Sequence, residues 1–258
     1  MNLIPGWIIW AYAALVGAAV GSFLNVCIYR LPEGLSVVRP RSRCPECSAA
    51  IGWRDNIPIA SWVMLRGRCR GCRTPISVQY PLIELATAAI WLAAAARHGL
   101  SWDALAVAIF FTLLLGIALT DARTYIIPDE FTYGGLILGL LLSLAPGGLT
   151  FLQSIAGAAL GFVFLYGAGW LGEWWLKKPA MGGGDIKMMA MVGAFLGPLG
   201  ALLTIFLGAL VGTIIFLPIS LRTKKLVPFG IFLALGAAVT QVWGDDLVRW
   251  YRDAFLGY

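Results

Sequence analysis

Residues 181–197 read MGGGDIKMMAMVGAFLG, an aspartate and a lysine at the head of an otherwise apolar run. A carboxylate beside a membrane-length apolar segment is costly unless something uses it. A second such acid stands in DARTYIIPD, residues 121–129, where Asp121 follows another long apolar stretch. Gly182, Gly183 and Gly184 remove every side chain just ahead of Asp185, so that another backbone can come close. Two carboxylates that meet can share one proton, one acting as general base and the other as acid. Asp121 and Asp185 therefore point to an aspartyl protease embedded in a membrane.

The composition agrees with that setting. Of 258 residues, 60% are hydrophobic and 12% charged, and the mean hydropathy of +0.83 excludes an ordinary soluble domain. Residues 1–10 lack a basic leader region, so the first apolar stretch is expected to remain as a span. Apolar segments at 5–28, 81–96, 102–120, 131–144, 151–171, 188–197, 199–217 and 227–243 predict an all-α polytopic protein of about eight transmembrane helices. The segment 188–197 is short for a bilayer, and either forms a half-helix or runs on through Gly197-Pro198. Gly17, Gly21 and Ser22 give the first helix a small-residue face for close packing. Asn25 is read as an interhelical hydrogen-bonding residue and Cys27 as a packing residue.

The one sizeable polar block, residues 29–80, holds nine arginines against Glu33, Glu46 and Asp55. Nucleic acid is weighed and set aside for such a charge excess, because basic loops of membrane proteins stay cytoplasmic and lie on anionic lipid. The block also carries Cys44-Pro-Glu-Cys47 and Cys69-Arg-Gly-Cys72, with 21 residues between the pairs. Two C-x-x-C knuckles at this spacing predict a tetrahedral zinc site in a small zinc-ribbon-like domain. Disulfides are opposed by cytoplasmic placement, and a thioredoxin-like redox motif by the pairing of two knuckles. Four thiolates leave no open position, so the metal is read as structural.

With the N-terminus outside, the segments 29–80, 121–130, 172–187 and 222–226 fall in the cytoplasm and carry 16 of the 19 lysines and arginines. That positive-inside asymmetry places Asp121 and Asp185 on the same side of the membrane as the cysteine block. Plainer roles exist for each acid: a helix N-cap for Asp185 and for Asp129, and a solvated loop position for Asp121. The sole histidine, His98, falls in an outer loop, and no H-E-x-x-H or G-x-S-x-G elbow with a histidine is present. The domain plan is a first transmembrane helix over 1–28, the cysteine domain over 29–80 and a transmembrane core over 81–258.

These residues resemble the type IV prepilin peptidases, which also serve type II secretion pseudopilins. The likeness runs through GSFLNVCIYRLP (21–32), SRCPEC (42–47), DNIPIASWVMLRGRCRGC (55–72), YPLIELATA (80–88), TDARTYIIPDEFT (120–132), MGGGDIKMMAMVGAFLG (181–197) and PFGIFLA (228–234). It implies kinship with presenilin-type intramembrane aspartyl proteases and Asp121 with Asp185 as the catalytic pair. It further implies cleavage of a basic prepilin leader after a glycine on the cytoplasmic side of the bacterial inner membrane. Methylation of the new N-terminal residue with S-adenosylmethionine would follow, an activity associated with the tetracysteine block. Ile231 stands where the family commonly has proline, and Glu84, Asp129 and Lys187 are without assigned roles. Lys187 is weighed both as a partner of Asp185 and as a snorkelling flank.

Membrane docking on anionic headgroups, rather than attraction between a basic leader and a basic loop, is the expected route of substrate delivery. Competing readings are a membrane-anchored zinc-ribbon binding module, an ion-coupled transporter and a peptidase without methyltransferase activity. The transporter reading predicts acids in mid-span, whereas these lie at span ends. The natural substrates and the oligomeric state are not legible.

Overall fold

The computed structural model describes residues 5–178, 181–223 and 228–256. Parts of the connections expected at 172–187 and 222–226, namely 179–180 and 224–226, lie outside the described residues, as does residue 227, the first of the expected last span. The described chain is all helical apart from turns and two isolated bridges, with no strand. Its helices are α1 (Gly6–Arg30), α2 (Ala60–Met64), α3 (Gln79–His98), α4 (Trp102–Thr124), α5 (Asp129–Leu142), α6 (Phe151–Leu176), α7 (Gly183–Thr223) and α8 (Phe229–Tyr251).

Among the described residues, five stretches are long and apolar enough to cross a membrane: Gly6–Glu33, Trp102–Thr124, Phe151–Leu176, Gly183–Ile215 and Phe229–Phe255. The expected count of eight is not established by length and composition. α5 has only 14 residues, short of the roughly 20 that span a bilayer. The expected sixth and seventh spans are consecutive parts of α7, interrupted at Gly197, whose φ of 71° and ψ of −176° are non-helical. Pro198 follows that break, where a missing N–H costs nothing to the helix behind it.

The chain divides into two compact units, Met1–Thr112 and Leu113–Tyr258. In the first, α1 packs on α3 through small residues, as the sequence predicts. A Cβ at Gly21 would lie 2.8 Å from the Glu84 Cα, and one at Gly17 would lie 2.8 Å from the Thr87 carbonyl oxygen. Asn25 donates to the carbonyl oxygens of Gly21 and Tyr80, the second bond joining the two helices. Cys27 is buried in α1, away from the other cysteines in the chain.

Glu84, buried in α3, accepts the Ile59 N–H at 2.7 Å. Ile59 precedes α2 with φ at 60°, a strained setting for a β-branched residue. The carboxylate thus holds the loop in a conformation it would otherwise leave. Glu84→Ala is expected to cost about 1–3 kcal/mol, and Glu84→Gln less, because its amide oxygen still accepts. Hydrogen exchange at Ile59 and neighbouring amides measures the difference.

In the second unit, α7 lies against α5, α6 and α8, and buries Met188, Met189, Met191 and Val192 completely. The α6–α7 seam is backbone on backbone. A Cβ at Gly193 would overlap the Gly157 carbonyl, and one at Gly161 would overlap the Met189 carbonyl. Ser154 Oγ donates to the Ala194 carbonyl oxygen at 2.6 Å across the same seam. Gly193→Ala is therefore expected to destabilise the protein by about 3 kcal/mol or more. Gly134→Ala on α5, with nothing within 4 Å of its Cβ, should gain about 0.5–1 kcal/mol. Thermal unfolding in one detergent compares the pair.

Candidate active site and metal centre

Three connections of the second unit converge on Ile127. The turn after α4, marked by Tyr125 at φ 56°, carries Ile127 back over the start of two other helices. A Cβ on Gly184, in the first turn of α7, would lie 2.9 Å from the Ile127 Cβ. A Cβ on Gly230, in the first turn of α8, would lie 2.7 Å from the Ile127 Cδ1. The glycines thus let α7 and α8 begin on the same side chain.

Asp121 sits in the last turn of α4 and is 5% exposed. Its Oδ2 accepts the Ile231 N–H at 3.2 Å, and the Gly230 N–H also donates to the carboxylate. α8 starts behind Pro228, which offers no side-chain cap, so the amides of its first turn need an acceptor from elsewhere. Asp121 supplies it from 110 residues away. The plainer alternative for Asp121, a solvated loop acid, gives way to a buried cap on another helix. The Ile231 N–H is a donor that a proline at this position would lack.

Asp185 lies at the third position of α7 and accepts the N–H of Gly182, immediately before the helix. That is the return half of a capping box rather than an N-cap in the strict sense. A Cβ at Gly182 would lie 2.9 Å from Asp185 Oδ2, whereas one at Gly183 meets nothing within 4 Å. The open approach expected of the glycine run is therefore found at Gly183 alone. Asp185 and Asp121 lie within electrostatic reach of each other. Each carboxylate also stands at the positive end of a helix dipole.

Lys187 turns to neither aspartate of this pair. Its ammonium binds both oxygens of Asp129 at 2.7 and 2.9 Å and lies 5.2 Å over the Tyr133 ring. The reading of Lys187 as a partner of Asp185 gives way to this pairing, which ties the start of α7 to that of α5 while the lysine keeps a part-exposed position at the flank of the apolar run. Asp129, just inside α5, answers Lys187 instead of capping. Spacing along the chain carries no sign of either contact. The role of Gly230 had a faint one: a glycine directly after Pro228-Phe229, where a helix starts.

In the first unit, Cys44, Cys47, Cys69 and Cys72 bring their sulfurs within 4.8 Å of one another. The Cys44–Cys72 and Cys47–Cys69 separations are 3.7 and 4.0 Å, too long for disulfides. A tetrahedral zinc with bonds near 2.3 Å requires sulfurs about 3.8 Å apart, so the cluster fits that ion. The two knuckles repeat one geometry. Cys44 N–H donates to Ala49 and Cys69 N–H to Thr74, while Ser48 and Arg73 share a left-handed backbone. Hydrogen bonding with the Thr74 side chain and backbone holds the Cys72 thiol down to about 6, and the Cys72 and Gly71 amides lower Cys69. At Cys47 the Ala49 amide opposes, but crowding by the Cys44 and Cys72 thiols wins and pushes it up to about 11. A central dication reverses such crowding. Arg70, inside the second knuckle, clasps Asp55 through Nε and Nη2 at 2.6–3.1 Å and holds its carboxyl below the usual range.

Comparison with known proteins gives two consecutive matches along the chain. The profile described as Bacterial Peptidase A24 N-terminal domain matches residues 15–98, and that of the Type IV leader peptidase family matches 108–217. A "Prepilin leader peptidase/N-methyltransferase" of Aeromonas hydrophila is 35% identical over 97% of this chain and 96% of its own. One of Myxococcus xanthus (strain DK1622) is 41% identical over 79% of this chain and 62% of its own. A "Type 4 prepilin-like proteins leader peptide-processing enzyme" of Escherichia coli O78:H11 (strain H10407 / ETEC) is 36% identical over 88% and 91%. No solved structure matches. With relatives aligned almost end to end and both profiles matched in order along the sequence, this chain belongs to the type IV leader peptidase family.

Proposed function

We propose that this protein is a bifunctional enzyme of the bacterial inner membrane that removes the leader of a prepilin or pseudopilin and methylates the new N-terminus. The placement of Asp121 and Asp185 at the starts of α8 and α7, within electrostatic reach of each other and beside the open face of Gly183, is the observation that carries the peptidase half. One aspartate takes a proton from water as its oxygen attacks the scissile carbonyl carbon. The other gives a proton to the carbonyl oxygen; the tetrahedral species then collapses with its C–N bond broken, so that the leader keeps the new carboxylate and the mature chain departs as the protonated amine. Asp121 and Asp185 serve as this pair. Lys187 and Asp129 hold the first turn of α7 in register, and Ile127 spaces it from α8.

Cys44, Cys47, Cys69 and Cys72 hold a structural zinc, which supplies folding energy to a block too small for a core of its own. Residues 29–80 then form the cytoplasmic domain and 81–258 the peptidase core, with the N-terminus outside and the active site facing the cytoplasm. The relatives' name implies S-adenosylmethionine as methyl donor. The cavity beside α1 does not fit it: the donor carries sulfonium and ammonium cations, whereas the charged residues of that cavity are two arginines. It is accordingly not assigned to the donor. Family membership and the aspartate pair weigh against a binding module.

The test mixes detergent-purified protein with a prepilin and S-adenosylmethionine, and weighs the product. Leader loss plus one methyl increment is the expected result. Leader loss alone leaves a peptidase without the second activity, and an uncut substrate with folding and zinc verified overturns the reading.

A further inference from the structure

Beside the loop that follows α1 lies a cavity of about 530 Å³, within the size range of small-molecule sites. Ser22, Val26 and Arg30 line it at the four-residue spacing of one helical face, with Phe23 beside them. The opposite face of α1 carries Gly17 and Gly21 against α3. The loop closes the cavity with Val38, Arg41 and Trp53. Arg30 fastens that wall, since its Nη1 donates to the carbonyl oxygens of Ser36 and Pro40, both at 2.9 Å.

The charge at this site is one-sided. Arg30 gives Nη1 to two carbonyls, which carry no counter-charge, and Arg41 has no hydrogen-bond or ion-pair partner among the described residues. No aspartate or glutamate lines the cavity. Arg54, 5.2 Å over the Trp53 ring, adds a third cation at the rim. The apolar groups face outward: Phe23 is 53% exposed, and Val38 and Trp53 are each 74% exposed. Cations beside exposed apolar and indole groups, at the end of a helix long enough to span a bilayer, are the signature of an interfacial lipid contact.

We propose that this cavity binds one anionic phospholipid, its phosphate between Arg30 and Arg41 and an acyl chain along Phe23 and Val26. Two guanidiniums neutralise the phosphate, and the α1 face continues into the hydrocarbon where the chain must run. Lipid binding here is independent of the peptidase reading.

Native mass spectrometry of the delipidated full chain, titrated with phosphatidylglycerol or phosphatidylcholine, tests it. A single phosphatidylglycerol adduct should be retained in preference to phosphatidylcholine. Arg41→Gln should weaken it about fivefold or more, while Arg66→Gln, on the same loop but outside the cavity, leaves it unchanged. Arg41 is exposed and unpartnered, so its loss should leave the fold and zinc content intact. Ser22→Trp, which fills the cavity while keeping every charge, should also lower the adduct. Equal losses in Arg41→Gln and Arg66→Gln would reduce the effect to diffuse attraction, and equal retention of the two lipids to an apolar groove. Displacement by millimolar inorganic phosphate would assign the site to free anions, and displacement by S-adenosylmethionine to the methyl donor. Any of these four results overturns the proposal.

Discussion

Asp185→Asn is expected to lower leader cleavage by about 10³-fold or more while leaving the melting temperature unchanged. The asymmetry follows from what each atom does. An asparagine oxygen still accepts the Gly182 N–H, so the start of α7 keeps its cap. Asp121→Asn behaves alike, because its amide oxygen can take the Gly230 and Ile231 amides. What an amide cannot do is take a proton from water. If the two residues were only caps, asparagine, among the best capping residues, would leave processing near its original rate. The double variant should be scarcely worse than either single one, since residues that act as a unit fail together. A time course of leader release against thermal unfolding of the same samples decides between the two roles.

The second large effect concerns the metal. With zinc in the site proposed for the cysteine cluster, stripping it should remove most of the roughly 10–16 kcal/mol that such a site contributes to a small domain, and Cys69→Ser, which leaves three ligands, should remove part of it. Residues 31–78 contain only the short α2 and two single-turn 3₁₀ segments, with no strand among them to hold shape alone. Proteolytic nicking confined to this block, together with zinc content measured on the intact protein, reports the loss. Methyl transfer is expected to disappear with the metal and leader cleavage to decline less, because the aspartates belong to the other compact unit. Equal loss of both activities would tie the peptidase to the loop and overturn that separation.

Much of the site was legible because its chemistry is written in short spacings. The C-x-x-C pairs announce a cluster whichever way the intervening chain runs, and an acid at the edge of an apolar segment announces its own expense. Other contacts have no local trace. The Asp121 carboxylate meets amides 110 residues on, and amides are present at every non-proline position. Lys187 reached Asp129 rather than its neighbour Asp185 because Asp185 turns back to its own helix start. Glu84 supports a backbone angle at Ile59 that the residue type itself disfavours. The helix count suffered for a related reason: Gly197-Pro198 marks a break, and sequence alone does not say whether the chain turns around there.

That break has a mechanical consequence. The segment from Asp185 to Gly197 is a lever about 18 Å long at the helical rise, with the carboxylate at its tip and the interruption as its pivot. A swing of about five degrees carries the tip roughly 1.6 Å, more than the ~1 Å of misplacement that can cost a hundredfold in rate. Gly157, Gly161 and Gly193 bring bare backbone against the length of this arm, and Met188 and Met191 wedge it from inside. Stiffness at the tip is therefore set by the bearing along the shaft, far from the reacting atoms.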